Sequence, residues 1–373
     1  MPTFMDGNQA IALGALDAGC DFFAGYPITP ATEILLHLTN ALPRVGGIVI
    51  QGEDEIASIG FCIGAAMSGR RAMTATSGPG ISLYSENIGL AVMGEVPLVI
   101  VDVQRMGPAT GAATTGSQGD TQFLRWGTSG GYPVIVLAPS NVQECYSLTM
   151  KAFQLAERFR VPVFLATDKE TAQTKTTTAL KRAESGAVSE RPTAPADQPY
   201  LPLDLDGWDE VPPMTHFGGP HILRFTTSSH DARGYLTKDS RELERLNRHL
   251  QAKIEDHREE ISLVKTDLQE KARILILSYG ISAQSARAAA ALARKDGKRV
   301  SLMIISSLWP VPEKRILEAS REIEKIIVPE LNLGQYAREI QRLVGDQQEV
   351  ISVSRVDGKL IPPEMILNQG GLR

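Results

Sequence analysis

Two short stretches of sequence decide the fold, FFAGYPITP at 22–30 and IVIQGEDE at 48–55. Each begins as an apolar strand and ends in a turn that leads into a helix. Thr29 is a suitable N-cap and Pro30 a suitable first helical residue, while the acidic run 53–55 opens the second helix. In a parallel α/β sheet, both turns would lie at the carboxyl ends of strands, where such folds bind their ligands. The sequence therefore predicts a site in which a hydroxyl, loop carbonyl groups and a carboxylate meet.

The surrounding chain alternates short apolar runs with helical patterns from residue 6 to residue 170. This alternation is typical of a parallel sheet with right-handed crossovers. Several runs are apolar throughout, as in strands that are covered on both faces. The predicted strands are 22–24, 48–51, 72–76, 98–103, 134–137 and 163–167, and the predicted helices are 7–18, 30–41, 54–68, 81–93 and 141–159.

The remainder of the chain changes character twice. Residues 171–238 are Pro-rich and weakly periodic, which predicts a connection that wraps around the body of the protein. Residues 239–270 are highly charged, with Leu, Ile and Val at helical spacings, and predict one long amphipathic helix. A second, smaller α/β pattern follows, with predicted strands 274–277, 300–305, 325–328 and 350–353 and predicted helices 282–296, 312–323 and 334–345. We therefore expect three parts, 1–170, 171–271 and 272–373.

Composition excludes several classes of function for this chain of 373 residues. A net charge of −5 indicates neither a nucleic-acid partner nor an anionic membrane surface. No apolar run approaches the roughly 20 residues of a transmembrane helix, and the N-terminus lacks the pattern of a signal peptide. The three cysteines have no ligand spacing, which favours a reduced, cytoplasmic location and predicts no iron–sulfur cluster or structural zinc in this chain.

The candidate functional residues each have a second, simpler interpretation. Glu55 could exchange a proton with a bound heteroaromatic nitrogen, or it could only complement the helix dipole. Arg105 follows a buried strand and suits bidentate binding of a carboxylate, or it could form a surface salt bridge. The SGPG turn at 77–80 could cradle an anion, although it lacks the lysine and spacing of phosphate motifs. The loop 104–132, which also contains Asp120, is long enough to be functional.

A specific combination of motifs identifies the chain by resemblance. YPITP at 26–30, QGEDEIASIGFCIGAA at 51–66, TSGPGISLYSEN at 76–87 and VQRMGPATG at 103–111 occur in order, followed by QGDTQFLRWGT at 118–128, SSLWPVPE at 306–313 and NLGQYAREI at 332–340. With these motifs the chain resembles, nearly end to end, the α subunits of 2-oxoacid:ferredoxin oxidoreductases, and most of all the 2-oxoglutarate type.

This resemblance implies a fold and a set of site residues. The first domain would be the pyrimidine-binding domain of thiamine diphosphate enzymes, and the smaller one would be similar to the transketolase C-terminal domain. Glu55 would hydrogen-bond the aminopyrimidine ring of the cofactor, and Arg105 would bind the substrate carboxylate. The remaining implied contacts are Pro27, Ile28, Thr29, Gly78 and Pro79 with the cofactor, and Thr29 and Thr114 with the substrate.

The resemblance also implies an activity and partners. With a β subunit that holds Mg²⁺, the cofactor diphosphate and a [4Fe-4S] cluster, the chain would convert 2-oxoglutarate and coenzyme A to succinyl-CoA, CO₂ and reduced ferredoxin. Further γ and δ subunits are known in such complexes, and some also run in reverse. The loop MGPATGAATTGSQGD departs from the 2-oxoglutarate pattern, so pyruvate and branched-chain or aryl 2-oxoacids remain alternative substrates. A non-catalytic assembly subunit is the rival hypothesis.

Overall fold

The computed structural model describes residues 2–183, 188–189, 191–201 and 207–373. Up to residue 178, helices and strands alternate as the sequence predicts. In chain order they are β1 (Thr3–Met5), α1 (Gly7–Asp17), β2 (Phe22–Gly25), α2 (Thr32–Ala41), a 3₁₀ helix (Leu42–Val45), β3 (Ile48–Gln51), α3 (Glu55–Met67), β4 (Ala72–Thr76), α4 (Pro79–Leu83), α5 (Ser85–Met93), β5 (Leu98–Met106), β6 (Ala112–Gly116), α6 (Thr121–Trp126), β7 (Ile135–Leu137), α7 (Val142–Phe159), β8 (Pro162–Asp168), α8 (Lys169–Gln173) and β9 (Thr176–Thr178).

After a connection, the chain forms a short helical segment and a second α/β unit. The elements are α9 (Ser240–Glu255), α10 (Arg258–Ile261), β10 (Val264–Asp267), β11 (Ile274–Ser278), α11 (Ser282–Lys295), β12 (Val300–Ile305), β13 (Ser307–Trp309), α12 (Glu313–Ser320), β14 (Lys325–Glu330), α13 (Gln335–Val344), β15 (Glu349–Ser354) and α14 (Pro363–Gln369).

The first unit is built on an eight-stranded sheet with the order β13-β7-β8-β5-β4-β2-β3, in which β6 also pairs with β5. From β7 to β3 along this order, every pair of neighbours is parallel. Strands β4 and β8 are buried along their whole length, because α1, α2 and α7 cover one face and α3 and α5 cover the other. This two-sided parallel sheet confirms the predicted fold class.

The second unit is a five-stranded sheet with the order β10-β12-β11-β14-β15. Strands β11, β12, β14 and β15 are parallel, and β10 is antiparallel to β12. Helices α11 and α14 pack on one face, whereas α12 and α13 contribute to the core shared with the first unit. The smaller α/β domain predicted for the C-terminal part is therefore present.

Strand β13 connects the two units, because it belongs to the second unit in the chain but pairs with the sheet of the first. This strand lies between two elements of the second unit but runs antiparallel to β7 of the first sheet. The buried Trp309 at its end donates from Nε1 to the carbonyl oxygen of Thr121 at 3.0 Å. The domain limits at 170 and 271 stay a prediction, and the pairing shows that the two sheets are closely joined.

The predicted helix over 239–270 is wrong beyond its first half. Helix α9 ends at Glu255, α10 forms one more turn, and the chain then extends into β10. Val264–Asp267 pairs in register with Leu302–Ile305 of β12, so tertiary pairing with a sheet edge overrides the helical spacing. Leu268, predicted to continue the apolar stripe, is 53% exposed. None of the helices in the described ranges has the length and apolar character needed to cross a bilayer.

A buried ion cluster fastens α9 to the first unit. The Oε2 atom of Glu95 accepts from Lys253 Nζ at 2.7 Å and lies 3.0 Å from His249 Nε2, and all three side chains are buried. Burial would raise the pKa of the Glu95 carboxyl, but the Lys253 ammonium and the Arg160 guanidinium hold that pKa well below its usual range. The cluster therefore keeps its carboxylate charged at neutral pH.

Candidate active site

The carboxyl ends of four neighbouring strands form one edge of the first sheet. Strands β5, β4, β2 and β3 lie side by side. They lead, respectively, to Arg105, the SGPG turn at 77–80, the YPITP turn at 26–30 and Glu55. The structure thus brings together the groups that the sequence predicts to converge.

Glu55 is the buried member of the three acidic residues that follow β3. Glu53 is exposed, and Asp54 is the N-cap of α3, with its Oδ1 accepting from the Ala57 N–H at 2.7 Å. Glu55 is the first residue of the helix and is only 7% exposed. Asp54 therefore caps the helix, and the site role of Glu55 stays a prediction beside its simpler interpretation as a complement to the helix dipole.

The Glu55 carboxylate lies against Gly80, next to the Thr76 hydroxyl group. A Cβ atom at position 80 would lie 2.8 Å from Glu55 Oε1 and would contact Thr76 Oγ1, so glycine is needed for this close approach. Nearby, the buried Tyr84 hydroxyl hydrogen-bonds Thr74 Oγ1 at 2.8 Å, and burial raises the pKa of Tyr84. The Oγ1 of Thr76 and the Oγ of Ser77 are buried without a protein partner, as expected where a ligand or water binds.

Arg105 is buried at the end of β5, with 4% of its surface exposed. Its Nη1 donates to the Thr29 carbonyl at 2.6 Å and its Nη2 to the Thr110 carbonyl at 3.3 Å. Its Nε has no protein partner and would lie 2.7 Å from a Cβ at Gly78. The surface salt bridge considered from the sequence is therefore wrong, since the guanidinium is held by backbone carbonyl groups.

Thr29 is at the site, but its predicted N-cap role is wrong. The Thr29–Pro30 peptide bond is cis, and α2 begins at Thr32 without a side-chain cap. The Ala31 N–H donates to the Ile28 carbonyl at 2.8 Å, and Asn8 Nδ2 donates to the Pro30 carbonyl at 2.9 Å. These bonds form a turn where the sequence predicts the first turn of a helix.

A cleft of about 450 Å³ opens beside these residues, between the first unit and the C-terminal unit. Its walls come from the SGPG turn and α4, from the end of β5 with the loop and α6 that follow it, from the segment after β14 with the start of α13, and from the loop after β15. The lining residues are Gly78, Ser82, Met106, Gly107, Pro108, Ala109, Ser117, Gly119, Asp120, Phe123, Asn332, Leu333, Gln335 and Val356. Pro79 is the first residue of α4. Pro27 and Ile28 are half-buried, and Ile28 packs against the hydrophobic core. Thr114 is exposed on β6, away from this lining, and its substrate role stays a prediction.

Two aspartates beside the cleft received no specific role from the sequence, which placed Asp120 in a functional loop and did not single out Asp102. Asp102 is fully buried in the apolar strand LVIVDV, and Asp120 lines the cleft. Their carboxyl groups lie close enough to share a proton in a hydrogen bond. Burial and the neighbouring Asp120 raise the pKa of Asp102 well above its usual value, and burial raises the pKa of Asp120 to about 6. A charged residue within an otherwise apolar strand was the available signal.

Gln118 joins the loop after β5 to the C-terminal unit. Its Nε2 donates to the Tyr279 carbonyl at 3.2 Å, and its Oε1 accepts from the Leu331 N–H at 3.0 Å and from Ser282 Oγ at 2.9 Å. The backbone carbonyl of Gln118 accepts from Asn332 Nδ2 at 2.8 Å. The second unit therefore fixes the loop that carries Asp120.

The described residues include no group of three or more His, Cys, Asp or Glu side chains placed to hold a metal ion. All three cysteines are buried and unpaired by disulfides. Burial raises the pKa of each thiol, at Cys20, Cys62 and Cys145.

Comparison with known proteins first defines the class of fold. A split gene transketolase superposes with a TM-score of 0.55 over 98% of this chain and 95% of its own, at 9% identity. This likeness concerns the fold alone. The 2-oxoglutarate:ferredoxin oxidoreductase from Magnetococcus marinus, solved with 2-oxoglutarate, coenzyme A and succinyl-CoA bound, superposes with a TM-score of 0.91 at 32% identity. It matches 99% of this chain, which spans 64% of that protein.

The sequence comparisons give the family. Residues 13–248 match the family described as pyruvate flavodoxin/ferredoxin oxidoreductase, thiamine diphosphate-binding, and residues 272–366 match pyruvate:ferredoxin oxidoreductase core domain II. The chain belongs to the family of pyruvate flavodoxin/ferredoxin oxidoreductases. It is 43% identical to the 2-oxoglutarate synthase subunit KorA of Methanothermobacter thermautotrophicus, over 98% of this chain and 97% of the relative. It is 37% identical to the ketoisovalerate oxidoreductase subunit VorB of the same organism, over 97% and 95%.

Proposed function

We propose that this chain is the α subunit of a cytoplasmic 2-oxoglutarate:ferredoxin oxidoreductase. With its partner it converts 2-oxoglutarate and coenzyme A to succinyl-CoA and CO₂ and passes two electrons to ferredoxin. Four relatives at 38–43% identity are 2-oxoglutarate synthase subunits, and the solved relative contains the substrate, coenzyme A and the product. The observation that carries the proposal is the convergence of buried Glu55 with Arg105 and the Thr29 turn at one sheet edge.

The residues at this edge fit the aminopyrimidine part of thiamine diphosphate. Glu55 is a buried carboxylate that suits a hydrogen bond to a ring nitrogen. The hydroxyl groups of Thr76 and Ser77 lack protein partners, and Gly80 allows the Glu55 carboxylate to pack closely beside Thr76. Bound thiamine diphosphate supplies the nucleophilic carbon that cleavage of a 2-oxoacid requires. Pro27, Ile28, Gly78 and Pro79 would complete the cofactor contacts.

Within this arrangement, each side chain of this subunit has a defined task. Glu55 holds and returns a proton at the ring nitrogen of the cofactor, which is the role of a positioned acid–base group. Arg105 binds the carboxylate of the 2-oxoacid through N–H groups that its backbone partners leave available. The Thr29 carbonyl fixes the orientation of the guanidinium, and the Thr29 side chain, which is exposed, faces the substrate.

The surface next to Glu55 supports a site that is completed by a second subunit. On α3, Ile56 is 50% exposed and Phe61 is 46% exposed, and on the end strand β3 Ile48 is 43% exposed. Large apolar side chains exposed beside a functional site are typical of a subunit interface. We propose that a β subunit covers this surface and contributes the diphosphate-binding domain, Mg²⁺ and a [4Fe-4S] cluster. Further γ and δ subunits would belong to the same assembly.

The charge of the cleft bears on the choice of substrate. Its lining contains Asp120 but no Lys or Arg among the described residues, and Arg105 lies at its edge. A second carboxylate, such as that of 2-oxoglutarate, would therefore meet a cation of the partner subunit. The likeness to a ketoisovalerate oxidoreductase subunit keeps a branched-chain 2-oxoacid as the second candidate substrate.

The test is turnover of the complex with its partner subunit, using 2-oxoglutarate, pyruvate and 2-ketoisovalerate with a dye as electron acceptor. We expect 2-oxoglutarate to give the highest kcat/KM. Glu55→Gln should reduce turnover by about 10²–10⁴-fold while the complex still assembles. The matched control is Glu53→Gln, which removes an exposed carboxylate two residues away. Normal turnover of Glu55→Gln would remove this residue from the mechanism and would favour a non-catalytic assembly subunit.

A further inference from the structure

Asp102 and Asp120 form a buried pair of acids behind the cleft, and neither has a task in the proposed reaction so far. Asp102 lies in the middle of the sheet, where its register neighbours are Thr76 on β4 and Ala166 on β8. Neither carboxyl oxygen of Asp102 receives a hydrogen bond from a protein N–H or O–H in the described structure. The contact that remains to it is the carboxyl group of Asp120. A fully buried acid without conventional donors is costly unless it holds a proton.

Asp120 connects this buried acid to the cleft. Its backbone N–H donates to Gln104 Oε1 at 3.1 Å, which fixes the start of α6. Its Oδ2 has no protein partner, and the residue is part of the cleft wall. Arg105 lies close enough to favour the ionised form of Asp120, and the Nε of this arginine is also without a partner. Asp120 Oδ2 and Arg105 Nε are therefore two buried polar atoms without protein partners, the first on a residue of the cleft wall and the second beside Gly78, another residue of that wall.

The surrounding charges determine which of the two carboxyl groups carries a proton at neutral pH. Two carboxylates in contact cannot both ionise at neutral pH. Burial raises the pKa of both groups, but Arg105 and the hydrogen bond from Asp102 partly offset the rise at Asp120, whose pKa is about 6. Asp102 has no such compensation, and its pKa is raised well above the usual range. At neutral pH, Asp102 is the neutral donor and Asp120 the charged acceptor.

Other titratable groups nearby are satisfied within their own contacts. Asp168 on β8 accepts from the N–H groups of Thr171 at 2.9 Å and Ile281 at 2.8 Å. From the C-terminal unit, Glu330 accepts from the Ala337 N–H at 2.9 Å and from the Tyr279 hydroxyl at 3.0 Å. The remaining charge that acts on Asp120 is Arg105.

We propose that Asp120 is the base that accepts the proton released in the cleft, and that protonated Asp102 is the positioning residue that holds it in place. The proposal rests on the proposed function, because it is this reaction that releases a proton. A 2-oxoacid anion and the thiol of coenzyme A give a thioester, CO₂, two electrons and one proton. The C–C bond to CO₂ and the S–H bond break, the C–S bond forms, and an iron–sulfur electron carrier takes the electrons. The thiol proton passes to Asp120, whose neutral form then returns it to solvent.

The test compares two replacements of Asp102 that have nearly the same shape, in the complex with its partner subunit. Asp102→Asn keeps an N–H donor for Asp120, whereas Asp102→Leu removes the donor. Wild-type kcat should fall as the pH drops through about 6, because Asp120 becomes protonated. For Asp102→Leu we expect the fall to begin at higher pH and kcat at pH 7 to be reduced about tenfold, since a buried carboxylate loses its hydrogen bond. Asp102→Asn should restore the wild-type pH profile.

Two further measurements separate this proposal from the proposed function. Asp120→Asn should lower kcat by about 10²-fold or more while KM for the 2-oxoacid changes little. In the infrared spectrum at pH 7, wild type should show a protonated carboxyl band that Asp102→Asn lacks. A wild-type complex that oxidises no 2-oxoacid would overturn the proposed function. An active wild type with an equally active Asp120→Asn, or with identical pH profiles for the two Asp102 variants, would overturn only the present proposal.

Discussion

The Nη1 atom of Arg105 donates to the carbonyl oxygen of Thr29 across 2.6 Å, between residues that are 76 positions apart in the chain. The contact joins the end of β5 to the turn after β2, so the guanidinium is oriented by backbone. Its buried Nε has no protein partner and lies beside Gly78, a residue of the cleft wall. Under the proposed function, the orientation of the substrate would depend on the YPITP turn as well as on the arginine.

Replacement of Arg105 should affect substrate binding more than cofactor binding. For Arg105→Ala we expect KM for the 2-oxoacid to rise and kcat/KM to fall about 10-fold to 100-fold, the range for loss of about 1.5–3 kcal/mol in charge-assisted hydrogen bonds. Arg105→Lys should recover little, because lysine lacks the planar fork. Steady-state kinetics of the assembled enzyme measures this, with the exposed Arg44→Ala as control. Unchanged kinetics would show that another group binds the carboxylate.

Addition of one methyl group at Gly80 should displace the Glu55 carboxylate. The new Cβ would lie 2.8 Å from Glu55 Oε1, which is shorter than a van der Waals contact. We expect Gly80→Ala to lower turnover by about 10²-fold, since small misplacements of catalytic groups have effects of this size. The control is Gly60→Ala on α3, which adds a methyl group where no neighbouring residue lies within 4 Å. It should leave the thermal unfolding temperature of the chain unchanged. Wild-type turnover in Gly80→Ala would mean that Glu55 tolerates the shift.

The ion cluster around Glu95 should contribute strongly to stability. Lys253→Met leaves a buried carboxylate without its nearest cation and should lower the free energy of unfolding by about 3–5 kcal/mol. The exposed pair Arg248–Glu244 on the same helix is the control, and Arg248→Ala should cost at most about 0.5 kcal/mol. Urea unfolding measures both variants.

The same cluster gives a pH dependence with a definite sign. The folded-state pKa of Glu95 lies well below its value of 4.5 in the unfolded chain. Its contribution to stability is therefore fully present above about pH 4.5 and is lost as the pH falls toward the folded-state value. Glu95→Gln should remove this dependence, and an acid unfolding profile identical to wild type would contradict the assignment.

The contribution of Asp102 to stability should depend on pH with the opposite sign. Its pKa is raised in the folded protein, so its favourable contribution is complete below the unfolded value of 3.8 and is lost as the pH rises toward the folded-state value. Asp102→Asn should therefore raise Tm at pH 7 by about 1 °C or more, since a change of about 1 kcal/mol moves Tm by about 2–4 °C in proteins of 150–250 residues and by less in a longer chain. The gain should shrink toward pH 4. Equal stability of the two proteins at pH 7 would show that burial of the acid carries no cost.

The sequence was sufficient for those parts of the site that follow from local order along the chain. Glu55, Arg105 and the YPITP turn each come directly after an apolar run, and parallel strands place such residues at one edge. The Asp102–Asp120 contact could not be derived in this way, because it depends on how the loop after β5 folds back against the C-terminal unit. The anomaly of an aspartate within LVIVDV was nevertheless visible.

Two local predictions failed because tertiary contacts outweighed local preference. Thr29 has the chemistry of an N-cap, but the hydrogen bond from Asn8 to the Pro30 carbonyl belongs to a turn that delays the helix. Val264 continues a helical spacing, but it pairs with Ile305 at the edge of the second sheet. In both cases the decisive partner lies more than 20 residues away in the chain, beyond the range of pattern analysis.

The antiparallel pairing of Ser307–Trp309 with β7 limits how this gene can be divided. A truncated protein that stops at residue 271 would retain Glu55 and Arg105, yet the hydrogen-bonding groups along one side of β7 would be bare. Exposed strand sides of this kind recruit other chains and promote aggregation. Shorter versions of the enzyme, whether designed for expression or for fusion to a partner subunit, should therefore retain the polypeptide through Trp309.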